Sequence, residues 1–259
     1  MSQIASVFKP DYKALIAYLT VGYPNIEITR KAAIALARNG ADIIELGIPF
    51  SDPLADGTTI QRASHQALLN GITPQLCFDM AQQLRREIAT PLVFMTYYNP
   101  VYNFGLDDFC RKCAEVDISG LIVPDLPPEE GRELESVTRK HKLDLIYLLA
   151  PTSNEERIRL VAKHSQGFIY LVSVTGVTGA RDSLPDNLQT IVISIKEKTA
   201  KPLCVGFGIS TAEQARQFSS IADGVIIGSR IIQLIEADGS LSPLTDFTRQ
   251  LRQALGQLK

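Results

Sequence analysis

Hydrophobic positions in this chain gather into eight short, dense runs, with longer stretches of helical spacing between them. The runs are ALIAYLTV (14–21), ADIIELGI (41–48), PLVFMTYY (91–98), GLIVPD (120–125), DLIYLLA (144–150), FIYLVSV (168–174), PLCVGFGI (202–209) and GVIIGS (224–229). Almost every position in them is apolar, as expected of strands covered on both faces in a parallel sheet under helices. In IEITRKAAIALARNG (26–40) the apolar face passes through Ile28, Ala32, Ala35 and Leu36, and Gly40 stands where a helix closes. Stretches 74–88, 129–141, 154–164, 187–199, 211–218 and 243–258 read as further helices.

Eight strand-like runs alternating with helices predict an α/β fold, a (β/α)₈ or TIM barrel with additional helices, in one domain over 1–259. A doubly wound open sheet is the competing architecture, but the first run ends TVGYP and lacks a G-x-G-x-x-G fingerprint. No linker, low-complexity segment or repeat sharper than the βα unit divides the chain.

The 259 residues are 45% hydrophobic and 21% charged, which places the chain among ordinary globular proteins. Lys and Arg number 26 against 28 Asp and Glu, a net charge of −2, so nucleic acid is not expected as a partner. No apolar run has the length of a membrane span. The start, MSQIASVFKPDYK, has neither a secretory h-region nor a transit-peptide pattern, and a cytoplasmic location is expected. Cys77, Cys110, Cys113 and Cys204 make no disulfide framework. The Cys110/Cys113 pair reads as two small apolar residues on one helix face rather than as a redox or metal motif.

In a (β/α)₈ barrel, chemistry is expected in the loops after the strands. The longest connection follows the second run and opens with ELGIPFSDPLADGTTIQ (45–61). Glu45 interrupts an apolar strand, where burial would raise its pKa into a useful acid–base range; a hydrogen-bonded structural carboxylate is the alternative. Asp52 and Asp56 flank a turn made by Pro53 and Gly57, and each suits either a capping role or, with Glu45, the flanking of one substrate. Glycine turns TGVTGA (175–180), GFGIS (206–210) and GSR (228–230) close the late strands, as a phosphate site or simply as tight turns. Arg230 adds charge there or is a solvated helix residue. His65, His141 and His164 have no metal-ligand spacing, and no HExxH, G-x-S-x-G or P-loop motif occurs. No lysine lies in a strand run, so bond cleavage would rest on acid–base chemistry.

The segments AYLTVGYP (17–24), ADIIELGIPFSDPLADG (41–57), MTYYNPV (95–101), GLIVPDLPPEE (120–130), YLVSVTGVTGA (170–180), VGFGIS (205–210) and VIIGSRI (225–231) resemble the tryptophan synthase alpha subunit family, in the family's order and over nearly the whole chain. The resemblance implies a lyase that cleaves indole-3-glycerol phosphate to indole and glyceraldehyde 3-phosphate, with no cofactor or metal of its own. It assigns acid–base work to Glu45 and the indole N–H contact to Asp56. It places phosphate on Gly179, Phe207, Gly208, Gly228 and Ser229, and the indole pocket on Tyr18, Ile60, Tyr97, Ile122 and Tyr170. It also implies a mobile loop near 174–185, with Thr178 reaching Asp56 on closure.

The implied partner is a beta subunit carrying pyridoxal phosphate, in an αββα (alpha2beta2) heterotetramer, met by the loop after the second strand and by residues 97–104. Thr58, where the family usually has Pro, and Arg230, where a small residue is usual, depart from the pattern. A free-standing lyase releasing indole, and a partner-regulating module with dispensable activity, are the alternative functions.

Overall fold

The computed structural model of the protein describes residues 2–172, 188–206 and 208–256. Strand β1 (Ala14–Thr20) pairs with β2 (Ile43–Gly47) on one side and with β9 (Gly224–Ile227) on the other. The sheet is completed by β3 (Leu92–Met95), β4 (Ile118–Ile122), β5 (Asp144–Ile146), β6 (Leu148–Leu149), β7 (Ile169–Val172) and β8 (Leu203–Gly206). Every pairing is parallel, in the order β5-β4-β3-β2-β1-β9-β8-β7-β6.

The two ends of that order, β5 and β6, are neighbours in the chain, parted only by Tyr147. They are one stave of a barrel, which accounts for nine strand segments where the hydrophobic pattern predicts eight. At the break the Tyr147 N–H donates to Ser165 Oγ at 3.0 Å, and its carbonyl accepts from the Tyr170 N–H at 3.2 Å. The Tyr147 phenol turns outward and donates to Glu135 Oε1 at 3.0 Å.

Side chains alternate along each stave, as strand geometry requires. Ile16, Ile43, Val93, Ile122, Ile146, Phe168, Cys204 and Ile226, one from each stave, fill the barrel interior. Ile4, fully buried, joins them from the N-terminal segment, and Phe8 packs 5.9 Å from the Phe168 ring. The intervening residues, such as Ala17, Leu19, Ile44 and Leu46, face the surrounding helices.

The predicted helices are present. They are α1 (Ile26–Arg38), α3 (Pro74–Arg85), α6 (Arg132–Lys140), α7 (Glu155–His164), α8 (Leu188–Lys198), α9 (Ala212–Ile221) and α11 (Ser242–Ala254). Asn25 starts α1 by accepting from the Ile28 N–H at 2.9 Å, and Gly40 follows its end at φ +113°, the conformation expected of a closing glycine. Cys110 and Cys113 lie on α5 (Leu106–Glu115), buried beside Phe109, and burial pushes both thiols upward.

Three other helices escape the hydrophobic pattern. α2 (Thr58–Leu69) lies in the long connection after the second run; it buries only Ala63, Ser64 and Ala67, a seam too small to give a strong period. α4 (Tyr98–Phe104) begins on the last residue of the third hydrophobic run, and buries only Val101. α10 (Ser229–Ala237) starts inside the GSR turn.

Candidate active site

Residue 45 follows Ile43 by two, so strand alternation turns its side chain into the barrel mouth. Glu45 is wholly buried, and neither carboxylate oxygen finds a hydrogen-bond partner among the described residues. Among the described residues, nothing gives it the hydrogen bonds of a structural carboxylate. Burial, reinforced by the charge of nearby Asp56, pushes its pKa up to about 8.

Asp56 comes from the loop between β2 and α2. The cap of α2 is Gly57, with no side-chain capping bond, so the capping role allowed by the sequence is not one that Asp56 plays. Its carboxylate turns inward instead. Burial lifts its pKa to about 6, while a hydrogen bond from the Tyr97 phenol to Oδ2, at 3.2 Å, opposes the rise. Asp52, four residues earlier, is exposed and accepts from Ser51 Oγ at 2.5 Å, which takes it out of the site. Near neutral pH, Glu45 thus holds its proton while Asp56 is ionised. Two adjacent carboxyl groups are held in opposite protonation states by unequal environments.

Both acids line a cavity of about 430 Å³ at the C-terminal ends of the strands. Tyr18, Ile60 and Tyr170 share its wall, as the resemblance implies. Tyr18 stands beside Glu45 in the β1–β2 register, and its phenol lies 3.2 Å from Thr20 Oγ1. Burial raises the Tyr18 and Tyr170 phenols well above the usual range, so both stay neutral and the mouth remains largely apolar.

Two residues that the resemblance assigns to the indole pocket are not among those lining the cavity. Ile122 is fully buried in the barrel interior, below the cavity, because its level on β4 faces Ile146 rather than the opening. Tyr97 is spent on the Asp56 loop: its oxygen accepts the Ala55 N–H at 3.0 Å and donates to Asp56, while its ring stacks on Phe50 at 5.2 Å. Met95, Leu148 and Asp125 line the cavity without having been singled out in the sequence. Met95 and Leu148 read there as ordinary strand residues, and only inward alternation at the last turn of a stave marks them.

Gly208, Gly228 and Ser229 lie together on the cavity wall after β8 and β9. Gly228 caps α10 and Ser229 is its first residue, so unpaired amides and the positive end of the helix face this edge. Gly208 has φ +67° and no atom of the described residues within 4 Å of where a Cβ would be, which leaves that side of its backbone open to a ligand. Gly206 and Gly228 have a second reason to be glycine: a Cβ there would press on the Tyr170 and Tyr18 rings, at 2.7 and 3.2 Å. Arg230 points away, its guanidinium over the Phe247 ring at 5.9 Å. Gly179, Phe207, Thr178 and the 174–185 segment lie outside the described residues.

The histidines stand apart from the cavity; His164 Nδ1 is 2.7 Å from Glu135 and His141 Nε2 is 2.9 Å from Asp107. Among the described residues, no group of three His, Cys, Asp or Glu side chains is placed to hold a metal ion. No described helix is long and apolar enough to cross a membrane.

Comparison with known proteins agrees in sequence and in fold. The family model described as tryptophan synthase alpha chain matches residues 4–256. A tryptophan synthase alpha chain from Dehalococcoides mccartyi is 56% identical over 98% of this chain and 100% of its own length. A solved structure from Aquifex aeolicus superposes with a TM-score of 0.92 at 41% identity, covering 99% of this chain and 100% of that one. Tryptophan synthase from Mycobacterium tuberculosis gives 0.92 at 36% identity, covering 99% and 97%.

Proposed function

The chain belongs to the tryptophan synthase alpha chain family, and from that premise we propose that Glu45 and Asp56 carry its lyase reaction. The reaction is the retro-aldol cleavage of indole-3-glycerol phosphate to indole and glyceraldehyde 3-phosphate. The observation that supports these two residues is their placement in one cavity, Glu45 wholly buried with no hydrogen-bond partner among the described residues and Asp56 accepting from the Tyr97 phenol.

Protonated Glu45 gives its proton to C3 of the indole ring. The positive charge that spreads to the ring nitrogen is met by ionised Asp56, which accepts the N–H hydrogen bond. The Glu45 carboxylate then takes the proton of the glycerol hydroxyl, the C–C bond breaks, and its electron pair returns to the ring. Glu45 ends protonated, ready for another turnover. Burial serves each step, because a carboxyl near pH 8 gives and regains a proton at little cost around neutrality. Tyr18, Ile60 and Tyr170 supply apolar contact for the indole. Gly228 and Ser229 hold the phosphate through the N-terminal amides of α10, and Gly208 through its own open backbone after β8; the resemblance assigns Gly179 and Phe207 to the same phosphate.

The partner in this reading is a beta subunit, two of each chain in the assembly, receiving indole from the mouth. Leu54 on the Asp56 loop is 85% exposed and Tyr102 on α4 is 62% exposed, which favours the expected docking face. The test is steady-state indole formation by the purified chain, with and without a beta subunit. Weak activity that rises by orders of magnitude with the partner is expected. Full activity alone would make it a free-standing lyase, and no activity in either case would refute the assignment of the two carboxylates.

A further inference from the structure

Asp125, in the loop after β4, is exposed at the rim of the cavity, and its Oδ1 accepts the Tyr98 N–H at 2.9 Å. That amide is the first of α4. Tyr97, the residue at the cap position, makes no side-chain capping bond of its own, because its side chain is committed elsewhere. The Tyr97 oxygen accepts from the Ala55 N–H, so its single proton is left to Asp56, and the stack on Phe50 fixes the plane of the ring. A cap from a neighbouring loop thus fixes the peptide on which this tyrosine turns.

We infer that Asp125 is a positioning residue, which caps α4 and thereby holds the Tyr97 phenol on Asp56. The inference rests on the proposed role of Asp56. Donation from a phenol favours the ionised carboxylate, so a displaced Tyr97 leaves Asp56 protonated over a wider pH range. Among the described residues, the titratable groups facing Asp56 are Glu45 on β2, Tyr18 on β1, Tyr170 on β7 and Tyr97 ahead of α4. Burial pushes Glu45 and all three phenols upward, so they keep their protons near pH 6 and Asp56 alone among them changes charge there. The cavity rim also carries Arg157, which is engaged with Glu129 at 2.7 Å.

The experiment is the pH profile of kcat/KM for the wild type and for Tyr97→Phe, Asp125→Ala, Asp125→Leu, Asp125→Asn and the Tyr97→Phe/Asp125→Ala pair. Conditions are those that give the wild type its full rate. Tyr97→Phe, Asp125→Ala and Asp125→Leu are each expected to move the acid limb up by about one pH unit, a roughly tenfold loss below the limb, with the alkaline limb set by Glu45 unmoved. Asp125→Asn retains an acceptor and is expected to restore the wild-type limb. The pair is expected to match Tyr97→Phe alone, since both changes break one chain of contacts. An unmoved limb in Asp125→Ala and Asp125→Leu, or losses that multiply in the pair, would overturn the inference. Asp56→Asn separates the two levels. Loss of cleavage in Asp56→Asn with an unmoved limb in the Asp125 variants removes only Asp125, whereas normal turnover in Asp56→Asn removes the catalytic reading and this inference together.

Discussion

Replacing Glu45 by Gln removes an ionisable group and keeps its shape, so the consequence for stability is readable as a slope against pH. The folded protein holds Glu45 protonated up to about pH 8, whereas the unfolded chain ionises it near 4.5. Between those values the unfolded state binds fewer protons than the folded one, so the free energy of unfolding falls as pH rises. The contribution of Glu45 is fully present below pH 4.5 and is withdrawn as pH climbs toward 8. At about 1.4 kcal/mol per pH unit the whole interval amounts to roughly 5 kcal/mol, a large share of the 5–15 kcal/mol typical of a folded domain. Asp56, also raised, to about 6, contributes in the same direction but only below that value, so the informative window is pH 6–8. The buried amide introduced by Gln has no partner and costs about 1–3 kcal/mol at every pH, which offsets the two curves without tilting them. Urea unfolding of both proteins across pH 5.5–8.5 measures the slopes. Wild-type stability is expected to fall relative to the Gln variant by about 2 kcal/mol or more from pH 6 to 8. Parallel curves in that window would mean that Glu45 is ionised or well solvated in the folded protein, and would refute the argument.

Other consequences are simpler. Ser229→Ala removes a hydroxyl at the start of α10 while leaving its backbone amides, so KM for the phosphorylated substrate is expected to rise about five- to tenfold with kcat within about threefold, the worth of one hydrogen bond of about 1–1.5 kcal/mol; steady-state kinetics read both numbers. Arg252 is buried and donates to Asp42 at 2.8 Å, to the Tyr12 phenol at 3.1 Å and to the Lys13 carbonyl at 2.7 Å. Arg252→Met takes the counter-ion from Asp42, which keeps only the Leu15 N–H and the Tyr12 phenol, and is expected to cost about 3 kcal/mol in urea unfolding, with turnover per folded molecule unchanged.

The barrel was legible because its staves are covered on both sides, which forces apolar residues into runs that stand out from everything between them. Glu45 was legible for the same reason, as a charge in a run that excludes charge. α2 was not, because small residues such as Ala63 and Ala67 pack closely without leaving a strong hydrophobic period. Asp56 and Asp52 look alike in the sequence, and only the path of the loop sends one inward and leaves the other in water. Tyr97 and Ile122 were assigned by resemblance to a pocket wall, yet one supports a carboxylate and the other fills the floor beneath the cavity. Their function depends on a level along the barrel axis and on a partner forty residues away, and neither quantity is written in local composition. Asp125 gave no sign at all, since its role exists only where two loops meet.

The central claim is that a buried, protonated Glu45 drives the cleavage. Its most direct test is the rate of indole release from indole-3-glycerol phosphate by the wild type and by Glu45→Gln, with circular dichroism confirming that the variant is folded. Loss of the group that both gives and takes the proton is expected to lower kcat by about 10²–10⁴-fold or more, with KM little changed. A folded Glu45→Gln variant that turns over at close to the wild-type rate would contradict the account.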